Sequence, residues 1–210
     1  PAGNSISFYT VGAMLNSGTF GSGNSISAMT GIRMLWYPKL ASFRVGGTDS
    51  TQWDHSNIGQ YSFAAGYNTQ AKGNNSVAMG IGTEANGLSS IAFGSQSIAN
   101  GNQATAMGNT SYASGQNSTA IGNSAYASGY DSAAIGSDAR ATGHTSLSLG
   151  QYVNAGSSNT VVIGKGAFWN DPLINNTVDT FMVGFNRNKP SFTVFQSSVN
   201  VDAAAGFIED

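Results

Sequence analysis

A fixed fourteen-residue period constrains this chain more than any other feature of its sequence, because self-similarity at a short, constant spacing is the mark of stacked repeat architectures. Written in blocks from Tyr61, the chain reads YSFAAGYNTQAKGN, NSVAMGIGTEANGL, SSIAFGSQSIANGN, QATAMGNTSYASGQ, NSTAIGNSAYASGY, DSAAIGSDARATGH, TSLSLGQYVNAGSS and NTVVIGKGAFWNDP, with no gap through eight blocks. The sixth place is glycine throughout: Gly66, Gly80, Gly94, Gly108, Gly122, Gly136, Gly150 and Gly164. The thirteenth is glycine in the first six blocks: Gly73, Gly87, Gly101, Gly115, Gly129 and Gly143. In the seventh block it slips to Gly156, and the eighth lacks it, which reads as the end of the array.

Two glycines per block predict two bends per block, since glycine takes positive φ without a steric cost. The runs between them, such as Ser76-Val77-Ala78-Met79 and Thr83-Glu84-Ala85-Asn86, are too short and too often interrupted for a helix. Each block therefore reads as one coil of a flattened solenoid, made of strand, bend, strand and bend. Parallel pairing stacks successive coils at about 4.8 Å, so eight of them rise roughly 38 Å. The fold class is all-β: a parallel β-roll of fourteen-residue coils over 61–164, with non-repeat β caps over 1–60 and 165–210.

Alternation within the strands assigns the faces. Places two, four, nine and eleven hold small residues, as in Ser62, Ser76, Ala64, Ala78, Thr69, Thr83, Ala71 and Ala155, and a coil this short has room for nothing larger inside. Places three and five then face outward. They carry Phe63, Val77, Met79, Ile91, Phe93, Met107, Ile121, Ile135, Leu147, Leu149, Val161 and Ile163, an apolar stripe along one face. Burying each side chain gains about 1.5–3 kcal/mol, and an open stripe of this size calls for a cover. Two covers are open to it: a flanking segment of the same chain, or the same stripe on identical chains. The second is the reading adopted; it gives an oligomer without fixing the number of copies.

Composition narrows the function classes. Charged residues make up 9% of the 210 and the formal net charge is −2, which argues against nucleic acid or an anionic membrane as partner, because both require clustered Lys and Arg. The 28 glycines come with a hydrophobic fraction of 40%, too high for a disordered linker. With no cysteine, zinc fingers, disulfide frameworks and thiol catalysis are excluded. No run of about 18 apolar residues suits a membrane span, and no signal peptide is visible. The chain opens in mid-pattern at Pro1, so it reads as a fragment whose anchor lies outside it.

The block N-S-x-A-[IM]-G-x-x-[SA]-x-A-x-G, most literal in Asn75–Gly87 and Asn117–Gly129, resembles the head repeats of trimeric autotransporter adhesins of the YadA type. The resemblance covers Tyr61 to about Gly164. It implies a left-handed roll, a homotrimer around one axis with the stripe as subunit interface, no bound cofactor, and attachment at an extracellular surface as the function class. Similar rolls occur in phage tail fibres, so the resemblance leaves a bacterial cell surface and a virion fibre both open. The family's heptad stalk, membrane β-barrel and intramolecular chaperone are not in this sequence.

Both flanks leave the period. Alternation in Ile32-Arg33-Met34-Leu35-Trp36 and Ala41-Ser42-Phe43-Arg44-Val45 predicts two strands joined at Pro38-Lys39, a cap for the first coil. Thr180–Phe185 and Ser191–Phe195 read as two strands about a turn at Asn188-Lys189-Pro190, and Val201–Asp210 is too short to assign.

Catalytic chemistry finds no constellation. The two histidines, His55 after Trp53-Asp54 and His144 at a bend, have no nucleophile or orienting acid at a recognisable spacing, and the acidic residues are scattered. No calcium-binding repeat or phosphate loop is present, so no enzyme activity and no metal or cofactor is expected. Thr69 and Thr83 begin a threonine ladder that ends at once. The tenth place faces outward, and there Tyr112, Tyr126 and Arg140, with Tyr130 and His144 at neighbouring bends, form a candidate ridge for a protein or glycan receptor. The expected function is a rigid trimeric fibre head that holds this surface out for attachment. The alternative is a spacer within a longer fibre, with no receptor site of its own.

Overall fold

The computed structural model describes residues 5–8, 14–27, 30–185, 190–195 and 198–201. Each block forms a five-residue strand over places three to seven, such as Val77–Ile81, Thr105–Asn109 and Thr119–Asn123. A short strand follows at places ten and eleven, such as Glu84–Ala85 and Tyr112–Ala113. The short strands stack into an eight-stranded parallel sheet, and the long ones belong to a thirteen-stranded sheet. Register is in step with the period: Met107 pairs with Phe93 on one side and Ile121 on the other.

The interior is filled as side-chain size demands. Ala64, Ala78, Ala92, Ala106, Ala120 and Ala134 at place four and Ala71 to Ala155 at place eleven are fully buried, as are Thr69 and Thr83. Serine at place two has a specific task. The hydroxyls of Ser76, Ser118, Ser132 and Ser146 each donate to the carbonyl three residues back, at 2.6–2.7 Å, closing the turn between coils.

Two bends per coil are present as the period predicts, but it is seldom the φ of glycine that makes them. The corners are turned by residues in the left-handed region at places one and eight, almost all of them not glycine: Asn75, Gln103, Asn117 and Asp131 at the first corner, and Asn68, Gln96, Thr110 and Ser124 at the second, with φ between 53° and 58° for Asn75, Asn117, Asp131 and Asn68. Glycine at place six does take positive φ, as at Gly108 (124°), but it lies within the long strand. Glycine at place thirteen has no such φ; a Cβ built on Gly101 meets the carbonyl oxygen of Gly115 at 1.9 Å. A Cβ on Gly108 meets that of Gly122 at 2.0 Å. Both columns are glycine because consecutive coils touch there, backbone to backbone.

The parallel ladder runs past the limits of 61 and 164 drawn from the period. Ser42–Thr48 pairs with Phe63–Tyr67, Phe43 against Phe63, and Phe181–Phe185 pairs with Val161–Lys165, Phe181 against Val161. Both steps are twenty residues instead of fourteen, so the added residues hide the repeat. In the eighth coil the addition is the loop 167–172, after which Leu173–Asn175 rejoins the short-strand sheet beside Val153–Ala155. Gly31–Tyr37, antiparallel to Ser42–Thr48 and joined to it by a single 3-10 turn at Pro38–Leu40, forms one edge of the large sheet. Phe192–Phe195 and Ser198–Val201, also antiparallel, form the other; of the turn expected at Asn188-Lys189-Pro190, all but Pro190 lies outside the described residues, as does the segment after Val201.

The two ends of the lumen are closed by larger residues. At the N-terminal end Arg44 takes place four, where regular coils have alanine, and Trp53 covers the same coil; both are fully buried. The Arg44 guanidinium donates to the carbonyls of Phe43, Ser62 and Ala71 and to Ser62 Oγ at 2.7–3.0 Å, and Trp53 Nε1 donates to Thr69 O at 2.9 Å. Burial pushes the Arg44 pKa down to about 10, which leaves it charged at neutral pH, and the acceptors of these four hydrogen bonds are all neutral. At the other end Val153, Val162, Leu173 and Met182 enlarge the core. Arg44→Ala is expected to cost about 3 kcal/mol, from an unfilled cavity and lost charge-assisted hydrogen bonds, read as a shift in the urea midpoint.

Candidate binding and assembly surfaces

The apolar stripe lies on the outer face of the large sheet. All twelve of its predicted members stand at places three and five of the long strands, stacked coil on coil by the register. They are half-buried or exposed in the single chain; Ile91, Met107 and Leu149 keep 36%, 37% and 40% of their surface.

Structure extends the stripe beyond the residues found by period. Phe43 stacks on Phe63 with ring centroids 5.8 Å apart, and Val45 stands beside it. On the edge strand, Trp36 and Met34 sit opposite Phe43 and Val45, and Ile32 is 93% exposed. At the far end Phe181 and Val183 continue the column, with Val194 and Phe192 opposite them. The signal was present in the sequence: Thr180-Phe181-Met182-Val183-Gly184 repeats the pattern of Thr160-Val161-Val162-Ile163-Gly164.

The second surface is the outer face of the short-strand sheet. Tyr112 and Tyr126 are register partners, with rings stacked at 5.4 Å and 10°. Arg140, the next partner, places its guanidinium carbon 5.9 Å from the centre of the Tyr126 ring. Asn100 Nδ2 donates to the Tyr112 hydroxyl at 3.1 Å. Tyr130 and His144 stack likewise at 5.2 Å and 3°. The ring planes therefore lie across the axis of the roll, and one face of each ring is covered by its stacking partner. Hydroxyl edges and the guanidinium are what the ridge displays.

His144 Nδ1 lies 3.3 Å from Thr145 Oγ1, and His55 Nδ1 lies 2.9 Å from the Tyr37 hydroxyl, in separate parts of the fold. The Asp49 carboxylate sits below its ordinary pKa because Asn68 and Tyr67 hydrogen-bond to it, and Tyr67 is raised in turn by that carboxylate. Among the described residues no three His, Asp or Glu come together as a metal site, and no helix is long and apolar enough to cross a membrane.

Residues 58–83, 85–111, 113–139 and 127–152 each match the family described as YadA head domain repeat (2 copies). No curated protein matches the chain.

Proposed function

Because residues 58–152 are YadA-type head repeats, we propose that this chain forms the homotrimeric head of a surface-exposed fibre, and that it acts by attachment. The observation that carries this reading is the unbroken apolar stripe from Ile32 to Phe192, outward-facing and half-open in the single chain. Three copies packed stripe to stripe around one axis cover it, with Phe63, Val77, Met79, Ile121, Ile135 and their equivalents as the subunit interface. The short-strand sheets then face outward on all three sides. Each presents the ridge of Tyr112, Tyr126 and Arg140, and three weak contacts on one rigid body raise avidity without any single contact being tight.

One observation favours a second reading, in which the roll is a spacer in a longer fibre. The Tyr112–Tyr126 and Tyr130–His144 stacks satisfy each other's ring faces, as a purely structural ladder would. Beads coated with the native protein separate the two readings when tested on cell layers and extracellular matrix. The attachment reading expects adherent beads, and loss of most adhesion in Tyr126→Ala with Arg140→Ala while the trimer persists. Native beads that adhere to no surface would support the spacer.

A further inference from the structure

One loop and one pocket stand out at the C-terminal end of the roll. The loop is the excursion 167–172 in the eighth coil, pinned by a bridge between Phe168 and Asp171, and it holds Trp169 at its tip with 76% of its surface open. The other two tryptophans are Trp53, fully buried, and Trp36, half-buried. The pocket, about 490 Å³ and open to solvent, is lined by Asn159, Val161, Asp179, Phe181, Val194 and Phe195 among others. Val161 and Phe181 belong to the apolar stripe, so the pocket is continuous with the proposed interface.

Loop and pocket sit at the same level of the stack, the pocket where the long strands begin and the loop at the corner past their end. The pocket gathers around places one to three, where the strands Val161–Lys165 and Phe181–Phe185 begin, and the loop leaves after Gly166, at the corner that follows the first of them. The width of a five-residue strand, roughly 16 Å, separates them within one chain. Rotational symmetry about an axis along the roll brings one edge of each chain against the opposite edge of the next, at equal height, because a cyclic interface joins two different patches.

We propose that Trp169 of each copy inserts into the Val161–Phe181–Val194 pocket of the next, locking the three chains at the C-terminal end of the roll. The inference rests on the trimeric reading. The chemistry suits an indole: an apolar floor, and at the lip Asp179, which accepts from Asn159 Nδ2 through Oδ1 and has a second carboxylate oxygen with which to accept the indole N–H. Apolar walls with one acceptor at the rim are how a buried tryptophan anchors an interface.

The chain has no cysteine, so cross-linking reads the contact directly. Trp169→Cys with Asp179→Cys, mildly oxidised, is expected to run as a covalent trimer without reductant, while Trp169→Cys with Gln116→Cys, on a distant coil, stays monomeric in the same gel. In the native protein Trp169 is expected to be shielded from acrylamide, so that Trp169→Phe leaves the quenchable emission nearly unchanged. A native trimer by light scattering in which Trp169 stays fully quenchable and no cross-link forms overturns the lock and leaves the trimer standing. A native monomer overturns the trimer, and the lock with it.

Discussion

Gly80→Ala is expected to destabilise the roll by about 4 kcal/mol or more, at the extreme of what one substitution does, whereas Gly82→Asn, two residues on, is expected to change stability by less than about 0.5 kcal/mol. Two causes act together at Gly80 and neither acts at Gly82. At Gly80 the backbone has φ of 124°, and an added Cβ stands 1.9 Å from the carbonyl oxygen of Gly94. That oxygen is backbone in a continuous ladder, so relief requires the coils to separate. Gly82 also has positive φ, at 60°, yet a Cβ there meets nothing nearer than Gln96 Cγ at 3.7 Å. Equivalent corners are occupied by Asn68, Gln96 and Thr110 in the same left-handed conformation. Urea unfolding followed by circular dichroism measures both variants. Equal damage at the two positions would contradict this account, since only Gly80 combines a φ outside the αL region with a Cβ clash against the next coil.

Ile121→Asp together with Ile135→Asp is expected to abolish assembly while the coil itself survives. Both side chains point out of the coil from the centre of the stripe, paired with each other in register, and neither touches the alanine-lined lumen. In a trimer the double variant gathers six carboxylates around one axis, and an uncompensated buried charge costs several kcal/mol per ion. The same charge placed inward, as in Ala134→Asp, is expected to unfold the roll, because Ala134 is fully buried in a lumen with no room for a carboxylate. Strand content from circular dichroism separates the two outcomes: retained in the double variant, lost in Ala134→Asp.

Much of this architecture is legible in the sequence because one rule, small inside and large outside, repeats coil after coil. The period locates each coil, and alternation sorts Ala78 to the lumen and Val77 and Met79 to the outer face, as the burial pattern of Val77–Ile81 has it. What the period hides is any coil that breaks it. Phe43-Arg44-Val45-Gly46 reads as a strand from its alternation, but twenty residues separate it from Phe63, and arginine where the regular coils have alanine hides that it belongs to a coil of the same ladder. Only the structure supplies four acceptors around that guanidinium. The loop carrying Trp169 reads in sequence as the array breaking down, whereas it is an insertion after which Leu173 resumes place nine. The thirteenth-place glycines do stand at bends, but the sequence cannot distinguish a glycine needed for its φ from one needed for its missing Cβ. The Tyr112–Tyr126 ladder was visible as outward-facing; that its rings stack face to face was not, since side-chain orientation follows from the spacing between coils.

The measurement that bears most directly on the central claim is the solution mass of the native chain by light scattering, over a range of concentrations. A single species of three times the chain's 21.5 kDa is the predicted result. A stable monomer would contradict it, since the chain would then be soluble with its apolar stripe uncovered, and the trimeric head would lose the observation on which it stands.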